Sequence, residues 1–270
     1  MICLFCKGST ETSVSIEHIL PESVGTIEIV LPTGVVCDKC NNYFARKLEG
    51  PVLACSAFLE HRFAGCLPNK AGRIPAVAWT SFPSGIELAM TREASGTTFL
   101  GPIHDEDVLR WRDTIEARRP LTTIRPSPVW PPPRLMARFI GKVALETLAL
   151  RALKVPGGLE EIITKSELNE LRRFVRFNEC AGAWPIHERQ LYDMQADDGV
   201  GVAGSRIIHE FMFFQTPDGE LYFVIVFFGR EYAINMGGPE IEGLVSWFSA
   251  NENRSPLYLP NIHADVRYCG

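Results

Sequence analysis

A chain of 270 residues that is 46% hydrophobic, 22% charged and 10% aromatic has the composition of an ordinary globular protein, which excludes a disordered or fibrous one. Its length admits two domains, or one large domain with a small appendage. The net charge of −5 excludes a uniformly basic nucleic-acid binder, but the acid is concentrated late: 5 Lys/Arg stand against 13 Asp/Glu from residue 179 onward, and 22 against 19 before it.

The predicted elements begin with two Cys-x-x-Cys pairs, "CLFC" (Cys3, Cys6) and "CDKC" (Cys37, Cys40). Two such pairs suit one tetrahedral Zn²⁺, because the two-residue gap lets both sulfurs of a pair face one centre, and "KG" after Cys6 permits a tight turn. Thirty residues lie between the pairs, more than the roughly 15–20 of the commonest spacing, so a further element is expected inside the clamp. A zinc held by four thiolates has no open position and would be structural. Within the clamp "ETSVSIEHI" alternates as a strand, with Val14, Ile16 and His18 on one face and Ser13, Ser15 and Glu17 on the other. "PESVG" reads as a loop and "GTIEIVLP" as a second strand. From Asp38 the chain reads as a helix, with Asp38 as its N-cap, Phe44 and Leu48 on its apolar stripe and Gly50-Pro51 as its end. Asn41 falls in the first turn, directly after the last cysteine.

From 56 to 133, short strand-like runs ("PAVAWTSF", "IELAM", "TTFLG") separated by Gly, Pro and Ser predict irregular β structure. The arginines of "RWRDTIEARRPLTTIR" (110–125) read either as phosphate contacts or as a solvated helix face. The prolines of "RPSPVWPPP" (125–133) favour an extended break. After it, "RLMARFIGKVALETLALRAL" (134–153) predicts a long helix with a buried stripe through Leu135, Phe139, Val143 and Leu150, and "TKSELNELRRFVRF" (164–177) a second one. "SRIIHEFMFFQTPDGELYFVIVFFGREYAIN" (205–235) predicts a β-meander with turns at "PDG" and "GRE", and "EIEGLVSWFSA" a last helix. The fold class expected is α+β, divided as 1–54, 55–133 with its Pro-rich end, and 134–270.

The most apolar stretch, "LYFVIVFFG" (221–229), is shorter than the roughly 20 residues of a membrane helix. No basic leader or apolar signal core precedes Cys3, so a cytoplasmic protein is expected, in which cysteines serve as thiols or metal ligands. Cys55, Cys66, Cys180 and Cys269 lack ligand spacing, as do His61, His104, His187, His209 and His263. "GVGVAG" (199–204) reads as a flexible turn rather than a nucleotide loop.

Taken together, Cys-x-x-Cys, the segment "EHILP" and Cys-x-x-Cys-Asn resemble the HNH endonuclease family, in the subgroup whose ββα-metal motif is held by a four-cysteine structural zinc. The resemblance covers about the first fifth of the chain, and the helix "ARFIGKVALETLAL" is similar to segments that often follow such a unit. It implies that His18 is the general base for an attacking water, with Glu17 and Asn41 as the protein ligands of one catalytic Mg²⁺ or Mn²⁺, and Asn42 in place of Asn41 if the helix phase shifts by one. It implies hydrolysis of nucleic acid, with DNA the first expectation, to 5′-phosphate and 3′-hydroxyl ends. Lys39, Arg46 and Lys47 would contact phosphates. The sequence departs from the family in one place: where an Asn usually orients the catalytic loop, it reads "VLPTGVV", with Thr33 a partial substitute. The rival expectation is a non-catalytic zinc-stabilised module that binds nucleic acid or protein. No membrane partner is expected, a homodimer or a regulatory protein partner is left open, and a role in antiviral or plasmid defence would suit an acidic carboxy-terminal sensor.

Overall fold

A computed structural model describes residues 1–25, 29–118, 121–192, 207–258 and 265–269. "GVGVAG" and His263 lie outside them. The described chain forms two compact units, one from Met1–Pro21, Gly25–Val52 and Pro131 onward, the other from Glu22–Val24 and Leu53–Trp130.

The first unit opens with β1 (Glu17–His18) and β2 (Val30–Leu31), antiparallel with Glu17 opposite Leu31 and His18 opposite Val30. The strand expected over "ETSVSIEHI" is therefore only two residues long. Val14 and Ile16, its apolar face in the sequence reading, are 80% and 56% exposed, whereas Glu17 is buried. Alternation holds, but the polar side faces inward. The segment before β1 is held by an acid: the Asp38 carboxylate accepts from the N–H groups of Val14 and Ser15 at 3.1 and 3.0 Å. Asp38 accordingly does not cap its own helix, α1 (Asp38–Phe44), whose N-cap is Cys37.

Nor does that helix stop at Gly50-Pro51. It widens into a π turn (Ala45–Glu49), in which the Gly50 N–H reaches the Ala45 carbonyl, and runs on as α2 (Gly50–Leu53). A proline inside an α-helix clashes with the carbonyl four residues back, and the wider turn is where the chain relieves that conflict.

The second unit contains α3 (Ser56–Ala64), β3 (Val77–Phe82), β4 (Glu87–Arg92), β5 (Thr98–Pro102), α4 (Val108–Glu116) and β6 (Thr122–Ile124). Its antiparallel sheet has the order β5-β4-β3-β6, and Trp111 of α4 packs on Ile86 and Leu88 with Trp79 and Leu100 beside them.

The first unit resumes with α5 (Pro133–Ala152), α6 (Gly158–Thr164), α7 (Asn169–Phe177), β7 (Ile186–Gln190), β8 (Ile207–Gln215), β9 (Leu221–Phe227), β10 (Arg230–Asn235), α8 (Glu242–Ala250) and β11 (Asp265–Cys269). Pro133 belongs to α5 after all, at its first position, where a missing N–H costs nothing. The meander β8–β9–β10 sits inside a five-stranded antiparallel sheet of order β11-β8-β9-β10-β7. β9 is buried on both faces, which is why it reads as an unbroken apolar run. Leu244, Trp247 and Phe248 of α8 pack on one face, and Phe139 of α5 meets Phe227 on the other.

Every residue of α5 from Met136 to Thr147 is buried. Gly141 lets α7 approach it, since a Cβ there would lie 2.8 Å from Val175 Cγ2 and 3.2 Å from Leu171 Cδ1. Gly141→Ala gains about 1 kcal/mol of helix propensity but overpacks the contact by about 1–3 kcal/mol. A lowered urea midpoint is the expected net result; an unchanged midpoint would show that the two helices have room.

Candidate active site

The two cysteine pairs meet. Lys7 takes a left-handed conformation (φ 56°) that returns the chain after "CLFC", and the Cys3 N–H bonds back to the Gly8 carbonyl at 2.8 Å. Leu4 N–H donates to the Val35 carbonyl at 2.9 Å, which brings the second pair alongside. The sulfurs of Cys3, Cys6, Cys37 and Cys40 all lie within 4.8 Å of one another, with Cys6 Sγ 3.6 Å from Cys37 Sγ. Four thiolates at about 2.3 Å from one Zn²⁺ would stand about 3.8 Å apart, so the cluster fits a structural zinc. The sulfurs already compete for protons: the Cys40 thiol holds Cys3 down, to about 4, while that hydrogen bond and burial push Cys40 up.

A cation from far along the chain supports the cluster. Arg176, on α7, donates from Nε to Cys40 Sγ at 3.1 Å, and its guanidinium lies 4.0 Å from the centre of the Tyr43 ring. Partners of this kind tune metal sites by about 10–100-fold, so Arg176→Met is expected to weaken zinc retention by that order against a competing chelator. Equal retention would reduce Arg176 to a packing role.

On the other side of the clamp, β1 carries Glu17 and His18 while α1 faces it with Asn41. Asn41 Nδ2 donates to the Ile16 carbonyl at 3.1 Å, two residues before His18. Asn42 instead turns back to its own helix, with Nδ2 on the Asp38 carbonyl at 2.9 Å. Of the two candidates, Asn41 is thus the one whose side chain reaches the strand bearing His18. His18 is half-buried, whereas Glu17 is 5% exposed and turned inward.

There Glu17 meets a buried cation. Lys142 of α5, wholly buried, places Nζ 2.8 Å from Glu17 Oε1, 2.7 Å from Glu49 Oε1 and 2.9 Å from Glu146 Oε2. The same ammonium donates to the His18 carbonyl at 2.9 Å. Burial alone would push Lys142 down, but the charges of Glu146, Glu17 and Glu49 outweigh it and hold the ammonium well above its ordinary value. Burial pushes Glu146 well above the usual carboxylate range and raises Glu17 as well, Lys142 opposing both. Glu17 Oε2 is shut off from water and accepts no hydrogen bond.

One turn earlier on α5, Arg138 donates to Tyr43 Oη at 2.7 Å and to the Val175 carbonyl at 2.8 Å. The sequence does carry a signal for this contact surface: Arg138, Lys142 and Glu146 recur every four residues within a largely apolar helix. Such a stripe on a buried helix calls for a polar partner.

Lys39, Arg46 and Lys47 are exposed on α1 and the π turn that continues it. Three arginines of the 110–125 stretch are paired with acids: Arg110 with Asp107 at 2.6 Å, Arg112 with Asp113 at 3.0 Å and Arg125 with Glu60 at 3.6 Å. That favours the solvated-face reading of this stretch over phosphate contacts.

Residues 3–53 match the family model described as HNH endonuclease. No curated protein and no solved structure matches the chain. No helix of the described residues is long and apolar enough to cross a membrane. With its paired cysteines gathered and its order of strand, strand and helix in place, the segment from 3 to 53 has the arrangement that its match to the HNH endonuclease family model leads one to expect.

Proposed function

We propose that the chain is a metal-dependent endonuclease that hydrolyses phosphodiester bonds of nucleic acid, DNA being the first substrate to try. The observation that carries the reading is the corner where α1 meets β1: directly after the last cysteine, Asn41 reaches the strand that presents His18. His18 acts as general base, taking a proton from the water that attacks phosphorus, a role an imidazole can fill near neutral pH. The chemistry of the donors, one carboxylate and one side-chain amide, fits a hard divalent cation, and the orphaned Glu17 Oε2 is a buried oxygen in need of a partner. Mg²⁺ or Mn²⁺ held by Glu17 and Asn41 would supply charge stabilisation at the scissile phosphate and its leaving 3′ oxygen. Lys39, Arg46 and Lys47 take phosphates beside the site, which makes binding salt-dependent.

One observation favours a second reading, a zinc-stabilised module that binds without cutting: Lys142 already neutralises one oxygen of Glu17. Incubating zinc-loaded protein with supercoiled plasmid at low salt, with Mg²⁺, Mn²⁺ or EDTA, separates the two. Nicking or linearisation that needs the divalent ion is the expected result. Retarded but intact plasmid in every lane would favour the module.

A further inference from the structure

We infer that Lys142 is a positioning residue of the catalytic strand, so that α5, 124 residues downstream of His18, is a working part of the site; the inference rests on the reading of His18 as the general base.

The argument begins with β1. Two residues paired to two others make a short ladder, extended by the Ile19 N–H on the Ile29 carbonyl at 3.0 Å, and upstream Asp38 and Asn41 hold Val14 to Ile16. The usual orienting position offers no help, because Thr33 is exposed in the turn after β2. Lys142 adds a hold on the peptide of His18 itself. Its ammonium donates to the His18 carbonyl at 2.9 Å and lies 3.4 Å from that of Ile19, so it holds the peptide on the far side of the histidine. Through Glu17 it holds the residue on the near side, at 2.8 Å. His18 is thereby gripped on both flanks by one atom. That atom is itself held: it is wholly buried and paired with Glu146 on its own helix and with Glu49 at the end of the π turn.

A lysine has three N–H donors, and five carboxylate and carbonyl oxygens, of Glu17, His18, Ile19, Glu49 and Glu146, lie within 3.4 Å of this one. Such a shell is costly to build. Well-packed apolar residues of similar volume often serve stability as well or better, so an ion cluster directly beneath His18 is better explained by the geometry it imposes than by the stability it adds. Small errors in that geometry matter, because misplacement by about 1 Å costs about 10²-fold in rate.

The test uses the full chain, with Lys142→Met made together with Glu146→Gln so that a buried ammonium and a buried carboxyl are removed as a pair. Lys142→Gln, whose amide still donates one hydrogen bond, is the second variant should the first not fold, and Lys154→Met, on an exposed lysine, is the control. Zinc content and thermal midpoint establish folding. Two readouts follow. With 6 histidines in the chain, the ring signals of ¹⁵N-histidine-labelled protein are few, and that of His18 is identified by its absence from His18→Ala. Cleavage of plasmid with Mg²⁺ or Mn²⁺ gives kcat and KM.

Positioning predicts a shifted or broadened His18 ring signal and a kcat about 10²-fold lower with KM unchanged, in a zinc-replete folded variant, the control matching wild type. A folded variant with wild-type His18 signal and wild-type kcat overturns the inference. If wild type itself cleaves nothing, the nuclease reading fails instead, and the ring signal still decides whether Lys142 aims the imidazole.

Discussion

Cys40→Ser is expected to strip zinc from the protein and unfold residues 3–53. The metal would tie together the two turns that carry the cysteines, Cys3–Cys6 and Cys37–Cys40. The segment's ladder is two residues long, and its buried apolar residues include Leu4, Ile19, Leu31, Phe44 and Leu48, with Phe5 against Phe44 at 4.5 Å between ring centres. A segment of this size rarely supplies more than about 3–5 kcal/mol from its core, whereas a structural zinc contributes about 10–16 kcal/mol of apparent binding energy. Removing the metal should therefore cost more than the core provides. Cys40 is the most telling of the four ligands, because its loss also leaves the buried Arg176 without the sulfur it bonds. Metal analysis should find one zinc per wild-type chain and less in the variant, and limited proteolysis should cut first within 3–53. Adding zinc back after chelation should restore wild type but not Cys40→Ser. A variant that keeps one zinc and its protease resistance would remove Cys40 from the ligand set.

The parts of the fold that could be read in advance are those whose cause is local. Paired cysteines at two-residue gaps, the order strand–strand–helix, the 3.6-residue period of α5 and the turn residues of the meander are all written within a few positions of where they act. The errors came where distant residues decide. The alternation before β1 sets apolar Val14 and Ile16 against Glu17, but it is Glu17, paired with the distant Lys142, that is buried, while Val14 and Ile16 lie in solvent. Gly50-Pro51 looks like a helix end, because a π turn that accommodates the proline leaves no mark in the sequence.

The surroundings of the site were hidden for the same reason. Tyr43, Cys40 and Glu17 receive Arg138, Arg176 and Lys142, partners 95 to 136 residues away. A pattern within one segment cannot name its partner across such a separation. It could have announced that one was needed: Arg138, Lys142 and Glu146, at a spacing of four in a largely apolar helix, cannot be buried alone. Conversely, Arg110, Arg112 and Arg125 look like part of a basic patch until Asp107, Asp113 and Glu60 are seen beside them.

His18→Ala is expected to lower cleavage by about 10²–10⁴-fold, the range a positioned general base contributes, while zinc content and nucleic-acid binding stay at wild-type level. The separation follows from where the groups lie. The four sulfurs belong to the turns at Cys3–Cys6 and Cys37–Cys40, and Lys39, Arg46 and Lys47 stand on α1 and its continuation; none of these depends on the His18 ring. What holds β1 is the backbone of His18, through its carbonyl, and the carboxylate of its neighbour, so truncating the imidazole leaves the strand anchored. Cleavage rates and gel-shift affinities, measured on the same preparations at one salt concentration, give the two quantities side by side. A variant that still cuts at the wild-type rate would dismiss His18 as the base. A variant that loses binding in proportion to cleavage would instead place the imidazole in the substrate contact, and the loss would then appear in KM rather than kcat.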